Sequence, residues 1–429
     1  QVRNSGPAIN TPTGEWNVTI SPDGRQLIFE ASQRTENRSV PGDLYYSQRS
    51  ANGWAPAIPL SRLNSDSSDL MPRWLNDGQL SYASAREGNG DVDIYIAEDG
   101  SWEPVSPVLT AVSRSTGEII LLDPVDLTMR KRINAGTGPH EIATSADGRN
   151  AFVPLFGIYP RPHDKPIDSR PPFLQAPSEG IAIIDLATGE KDIRTLPDCS
   201  RPHGLTTDAQ ATRLWITCET EGALLELKTE DWSLVRRYKL EPGVHKVAFD
   251  GKRQRLLTTN PDTGILRQIS LPTGEITSVR TGNAAEALTM SRDGRYAWVT
   301  NGQDRTLSKV RLETMELEWT ADTKGSFPIA LGLIEDRDEI WVSNLGSREI
   351  AIVDTRTGNH KDKISLPSGA LNMAVNVKDG FVYATLPRLN KVIALNIETR
   401  KISRETDGIM EGDDLDLIPS IFFAAPTDS

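Results

Sequence analysis

Three of the chain's five histidines, His140, His203 and His245, stand at equivalent points of a repeated segment, and the next such point holds Glu286. Imidazole and carboxylate are donors that suit zinc, iron, copper or manganese. Three histidines and one glutamate brought to one place could hold a divalent ion and leave a position open for substrate. The same side chains have plainer uses, since a histidine can hydrogen-bond the neighbouring repeat or a ligand, and no cofactor is then needed. Without metal, Glu286 and His245 could act as general base and acid if they come within reach of one another. Glu141 follows His140 directly and could accept from its second ring nitrogen. Strict strand alternation instead turns Glu141 to the opposite face.

What must position these residues is a repeat of some forty residues. From His203 the openings fall 42, 41, 43 and 42 residues apart, through His245, Glu286 and Ile329 to Leu371. Each unit begins with a short apolar segment, passes a polar turn, enters a β-branched and aromatic run, and continues through two further strands. That makes four strands per unit with no helical periodicity. An apolar or aromatic residue lies twelve positions after each opening, pairing His140 with Phe152, His203 with Trp215, His245 with Leu257, Glu286 with Trp298, Ile329 with Trp341, and Leu371 with Tyr383. Tandem four-stranded units predict an all-β fold, a β-propeller, whose innermost strands line a central channel and whose opening residues crowd one mouth of it.

The run DGRYAWVTN from Asp293, the run DEIWVSN from Asp338, and the aspartate-to-glycine turns ending at Gly189 and Gly358 carry a family likeness. Through them, residues 109–397 resemble the YVTN family of β-propeller repeats. The first hundred residues are similar to the PD40 repeat of TolB-like proteins, through ISPDGRQLIFEAS from Ile20 and GNGDVDIYIA from Gly88. Both resemblances imply propeller blades and neither implies a reaction, because this fold hosts hydrolases, lyases, oxidases and binding platforms alike. The implied division is 1–107, two PD40-like blades, and 108–429, a YVTN-like propeller. The segment from Leu109 to Ile133 supplies only the last three strands of a blade. The C-terminal DDLDLIPSIFF is expected to return as the missing inner strand and close a seven-bladed ring. The alternative is one larger propeller of eight or nine units.

Residues 156–180 form a proline-rich insertion that should overhang the same mouth as a lid, with Tyr159, Arg161, His163 and Asp164 available to a ligand and Arg161 suited to carboxylate or phosphate. The counter-reading is a stiffened surface excursion. Cys199 and Cys218 reach one face from adjacent antiparallel strands. A disulfide fastening the loop before His203 is expected there, with inert thiols or soft metal ligands as alternatives. The acidic clusters at 91–93 and 413–416 read as solvated turns rather than calcium loops. Glycine-rich phosphate cradles, serine-hydrolase elbows and haem-attachment motifs are missing from the sequence.

With 47 basic against 59 acidic residues the formal charge is −12, which disfavours nucleic acid as a partner. No apolar run reaches the roughly 18 to 20 residues of a membrane-spanning helix. The opening Gln1 fits a processed chain, so the expected location is periplasmic or secreted. The functional reading is an exported propeller that holds a small molecule, peptide or envelope protein at the channel mouth. The alternative is a metal-dependent lyase, hydrolase or oxidase using His140, His203, His245 and Glu286.

Overall fold

The computed structural model describes residues 9–418, apart from 22–23, 25, 35–36, 40–41, 51–52, 55–56, 61–62, 76–78, 87–90, 98–107, 146–147, 149, 158–177, 187 and 209–210. Among these residues the regular elements are β-strands and short 3₁₀ turns, and the protein is a multi-blade β-propeller. The chain divides into two compact units, one containing the described residues 9–97 and the other 108–418.

The second unit carries seven four-stranded antiparallel sheets. In chain order, blade one is built from 108–134, blade two from 143–194, blade three from 202–239, blade four from 247–280, blade five from 285–322, blade six from 328–365 and blade seven from 373–407. Blade one receives its inner strand from the far end of the unit: Gly412–Ile418 pairs antiparallel with Val108–Ser113. That strand also touches the inner strands of blades two and seven, Ala143–Thr144 and Met373–Asn376, so the contacts between inner strands form a closed circle. The expected return of DDLDLI as an inner strand is therefore what the structure shows, and no inner edge is left unpaired at the join.

Burial within a blade follows from this stacking. Second strands lie between two neighbouring sheets, and Arg255–Asn260 and Glu339–Asn344 are buried along their whole length. The outermost strands face water, as in Lys191–Arg194 and Leu234–Lys239, which is why their sequences are rich in Lys and Arg. The twelve-residue ruler becomes one register shared by six blades. Phe152 faces Ala143, Trp215 faces Thr206, Leu257 faces Ala248, Trp298 faces Thr289, Trp341 faces Gly332 and Tyr383 faces Ala374. In every case the partner lies three residues after the opening, so the openings hold one equivalent place at the start of the inner strand.

The first unit has one sheet built on Glu15–Ile20, Gln26–Ala31, Asp43–Ser50 and Gly53–Trp54, with Ile58–Pro59 alongside the third of these. Its second sheet has three strands among the described residues, Asp69–Trp74, Leu80–Ser84 and Asp93–Ala97, where a complete repeat would have four. Ile28, Leu44, Leu60, Leu80 and Tyr82 form its core.

Candidate functional site

The opening residues are placed by β-bulges. In blade three, Pro202 pairs with Cys218 and Leu205 with Ile216, leaving His203 and Gly204 opposite the single residue Thr217. Blade five repeats this with Glu286 and Ala287 opposite Thr300, and the closing strand of blade one with Asp413 and Asp414 opposite Val112. A bulge removes a ladder bond and re-aims side chains. The threonine hydroxyl supplies the lost partner, accepting from Gly204 N at 2.8 Å and from Ala287 N at 3.0 Å. Threonine hydroxyls at this level also join blades. Thr217 donates to the carbonyl of His245 at 2.7 Å, and Thr259 to that of Glu286 at 2.8 Å. Gly204 allows the approach, since a Cβ there would collide with the His245 carbonyl oxygen.

Around this frame the three imidazoles form a row. The rings of His140 and His203 are 4.2 Å apart, and those of His203 and His245 3.8 Å. Phe156 closes one end, 5.1 Å from His140, with the Arg201 guanidinium 4.4 Å above its ring. Glu286 closes the other, its Oε2 lying 3.1 Å from His245 Nε2. The structure therefore gathers His140, His203, His245 and Glu286, the four positions read from the repeat, although the ring-to-ring arrangement is a stack and not a single converging centre.

Glu141 corrects the sequence reading. Alternation turned it away, yet its Oε1 lies 3.2 Å from His203 Nδ1 and 2.7 Å from Lys246 Nζ. The reason is local: the inner strand of blade two begins only at Ala143, so residues 140–142 precede it and escape the period of two. His140, Glu141 and His203 offer ligand atoms that all lie within 4.8 Å of one another. Asp413–Asp416 also departs from expectation. It is part of the closing strand, buried at Asp413, Asp414 and Leu415, and not a solvated turn. Asp413 Oδ2 lies 3.6 Å from His140 Nε2, and Asp414 accepts from Ile142 N at 3.1 Å and from the Asn372 amide.

Burial and neighbours separate the protonation behaviour of these groups. Burial pushes His140 down to about 4, against the pull of Asp413. Burial also works against charge on His245, but hydrogen bonding and attraction from Glu286 win and raise it. Lys246 is raised in the same way, desolvation being outweighed by Glu141 and Asp414. Burial lifts Asp414 to about 7, with Lys246 opposing. Leaving Asp414 aside and counting His245 as charged, the carboxylates Glu141, Glu219, Glu286 and Asp413 still outnumber the cations Lys246, Arg201 and His245, so the mouth favours positive charge.

Cys199 and Cys218 are joined in a disulfide with Cα atoms 5.1 Å apart, which removes them as metal ligands and fastens the segment leading to His203. Tyr159, Arg161, His163 and Asp164 lie outside the described residues. Sequence reasoning passed over Lys246 and Arg201 as site residues, and Asp413 and Asp414 as well. A signal for Lys246 was present, because it follows His245 as Glu141 follows His140. A cavity of about 550 Å³ between blades three and four and one of about 320 Å³ along the inner strands of blades five to seven include no member of the histidine row.

These features define the chain as a β-propeller with an ionisable cluster at the opening ends of its inner strands. No protein-family model matches it. Protein YncE of Salmonella typhi, itself uncharacterized, is 22% identical over 299 residues, covering 68% of this chain and 69% of its own. Among solved structures, a functionally unknown protein from Desulfotomaculum acetoxidans aligns with a TM-score of 0.58 at 12% identity, covering 73% of this chain and 99% of its own. Virginiamycin B lyase from Staphylococcus aureus aligns with a TM-score of 0.51 at 15% identity, covering 65% and 87%. At these identities the likeness is one of fold.

Proposed function

We infer that this is an exported β-propeller binding protein that holds a divalent transition-metal ion at its channel mouth and uses it to retain a small ligand. The observation that carries the reading is the triplet His140, Glu141 and His203, whose donor atoms lie within 4.8 Å of one another in an acidic setting, with His245 and Glu286 continuing the row. Two imidazoles and a carboxylate match zinc, copper, iron or manganese better than calcium or magnesium. Export accords with the disulfide, which persists in oxidising compartments. It accords also with the described residues, among which no helix is long and apolar enough to cross a membrane. The ring of blades is of the YVTN type and the first unit of the PD40 type, on the motifs that carry those resemblances.

An enzymatic reading has one observation of its own. Glu286 and His245 lie 3.1 Å apart, and the raised imidazole could pass a proton to a substrate held beside it. Virginiamycin B lyase, as its name states, is a lyase on this fold, which makes lyase activity the first to assay.

The test is elemental analysis of protein purified without chelators or a histidine tag, followed by calorimetric titration with Zn²⁺, Cu²⁺ and Mn²⁺. One ion per chain, lost in His203→Ala with the fold intact, supports the reading. Protein that takes up none of these ions overturns it.

A further inference from the structure

The cavity of about 550 Å³ between blades three and four lies away from the mouth, beside Asp208 at the far end of the strand that His203 opens. Its walls are Trp215 and Phe249, whose rings are 4.5 Å apart, with Asp208, Arg213, Glu226 and Arg236 among its polar lining. Its volume lies within the range of small-molecule sites.

Blade five shows how the same corner looks when closed. Trp298 there corresponds to Trp215, Lys309 to Glu226 and Trp319 to Arg236, by cross-strand register. Lys309 fills the corner, its Nζ 3.9 Å from the Tyr296 ring centroid, 5.6 Å from that of Trp298 and 3.0 Å from Glu318. In blade three the long cation is replaced by Glu226, and Arg236 is drawn aside to donate to the Leu271 carbonyl of blade four at 3.2 Å. The corner is left open. The indole N–H of Trp215 is buried with no acceptor among the described residues. The N–H of Trp298 shares that state, but behind a packed lysine.

The charged groups of this cavity each have polar partners, only one of them an ion pair among the described residues. Arg213 Nε lies 3.6 Å from Glu226 Oε1, Asp208 accepts from Arg213 N at 3.0 Å and from Thr212 Oγ1 at 2.6 Å, and Tyr238 donates to Glu226 at 3.3 Å. Two carboxylates and two guanidiniums leave no net charge to select an ion. What remains is the half-buried Phe249 ring backed by the buried Trp215, with spare carboxylate lone pairs and spare guanidinium N–H groups. A ring with an apolar face and hydroxyls that both donate and accept uses all of these. We propose that the cavity between blades three and four binds a neutral sugar.

The experiment is saturation-transfer NMR on the full chain with glucose, galactose, N-acetylglucosamine and cellobiose, with arginine and citrate as charged probes. Saturable transfer to at least one sugar is expected. It should weaken about tenfold or more in Glu226→Gln and in Val235→Trp, which fills the cavity from an exposed outer-strand position. His203→Ala should leave it unchanged, which separates this site from the channel mouth. No saturable transfer to any sugar, transfer to a charged probe alone, or sugar binding that survives both cavity variants would overturn the proposal.

Discussion

One side of the ring differs sharply from the other at positions that the repeat makes equivalent. From blade one to blade five the inner-strand openings present Asp413 and Asp414, His140 and Glu141, His203, His245 and Lys246, and Glu286. In blades six and seven the same positions carry Ile329 and Leu371. The backbone device is shared: Ser343 of blade six donates to the Ala370 carbonyl at 2.6 Å, as Thr217 does to His245. The scaffold is thus repeated and the chemistry is confined to an arc, so function is carried by departures from the repeat and not by its consensus.

The largest effect that tests this asymmetry is on the metal. His203→Ala should abolish ion uptake in calorimetric titration, while Leu371→Ala, at the matching position in blade seven, should leave it intact. Equal loss in both would show that the arc is not distinct.

The next effect is on pH dependence in metal-free protein. His140, held at about 4 against an ordinary 6.5, contributes stability that is complete above 6.5 and lost as pH falls to 4. Asp414, raised to about 7 from 3.8, contributes stability that is complete below 3.8 and lost as pH rises through 7. Between pH 4 and 6.5 the two slopes oppose. Asp414→Asn removes one of them, so stability should climb more steeply with pH than in the wild-type chain, by roughly 2–4 kcal/mol across the window. Denaturant midpoints measured at several pH values check this, and parallel profiles for the two proteins would contradict it.

The disulfide belongs to the charged arc alone. Replacing Cys199 and Cys218 by serine opens a link spanning 19 residues and should cost about 3 kcal/mol in chemical unfolding. Ion affinity should fall as well, because the segment leading to Arg201 and His203 is released.

The smallest effect compares the two hydroxyl links. Thr217→Val and Ser343→Ala should each lose about 1–2 kcal/mol of stability. Only Thr217→Val should also weaken ion binding, since only that hydroxyl fixes the bulge of His203 and the backbone of His245. Matching losses of affinity would show that the ring responds as a whole.

Much of this architecture was legible in one dimension. A period near forty, the twelve-residue interval and the runs ending Val-Thr-Asn and Val-Ser-Asn together specified strands, register and the equivalence of His140, His203, His245 and Glu286, because strand pairing translates spacing directly into position. The three strands without an inner partner, between Leu109 and Ile133, likewise pointed to the closing strand. Glu141 was misjudged by alternation, and Asp413–Asp414 because acidic clusters usually sit in solvated turns, although the same stretch was expected to close the ring. Bulged and irregular openings abandon alternation, and the sequence carries no mark of which residues they release.

The sequence by itself determined the repeat, the class of fold and the set of imidazoles that share a rim, since these follow from local pattern and fixed strand geometry. Tertiary structure alone decided which carboxylate meets which imidazole, that Lys246 sits against Glu141, and that one corner between blades stays open while its counterpart is filled. Those outcomes depend on contacts between residues tens to hundreds of positions apart. Their energies are set by burial and by the company each charge keeps, quantities that exist only once the ring has closed.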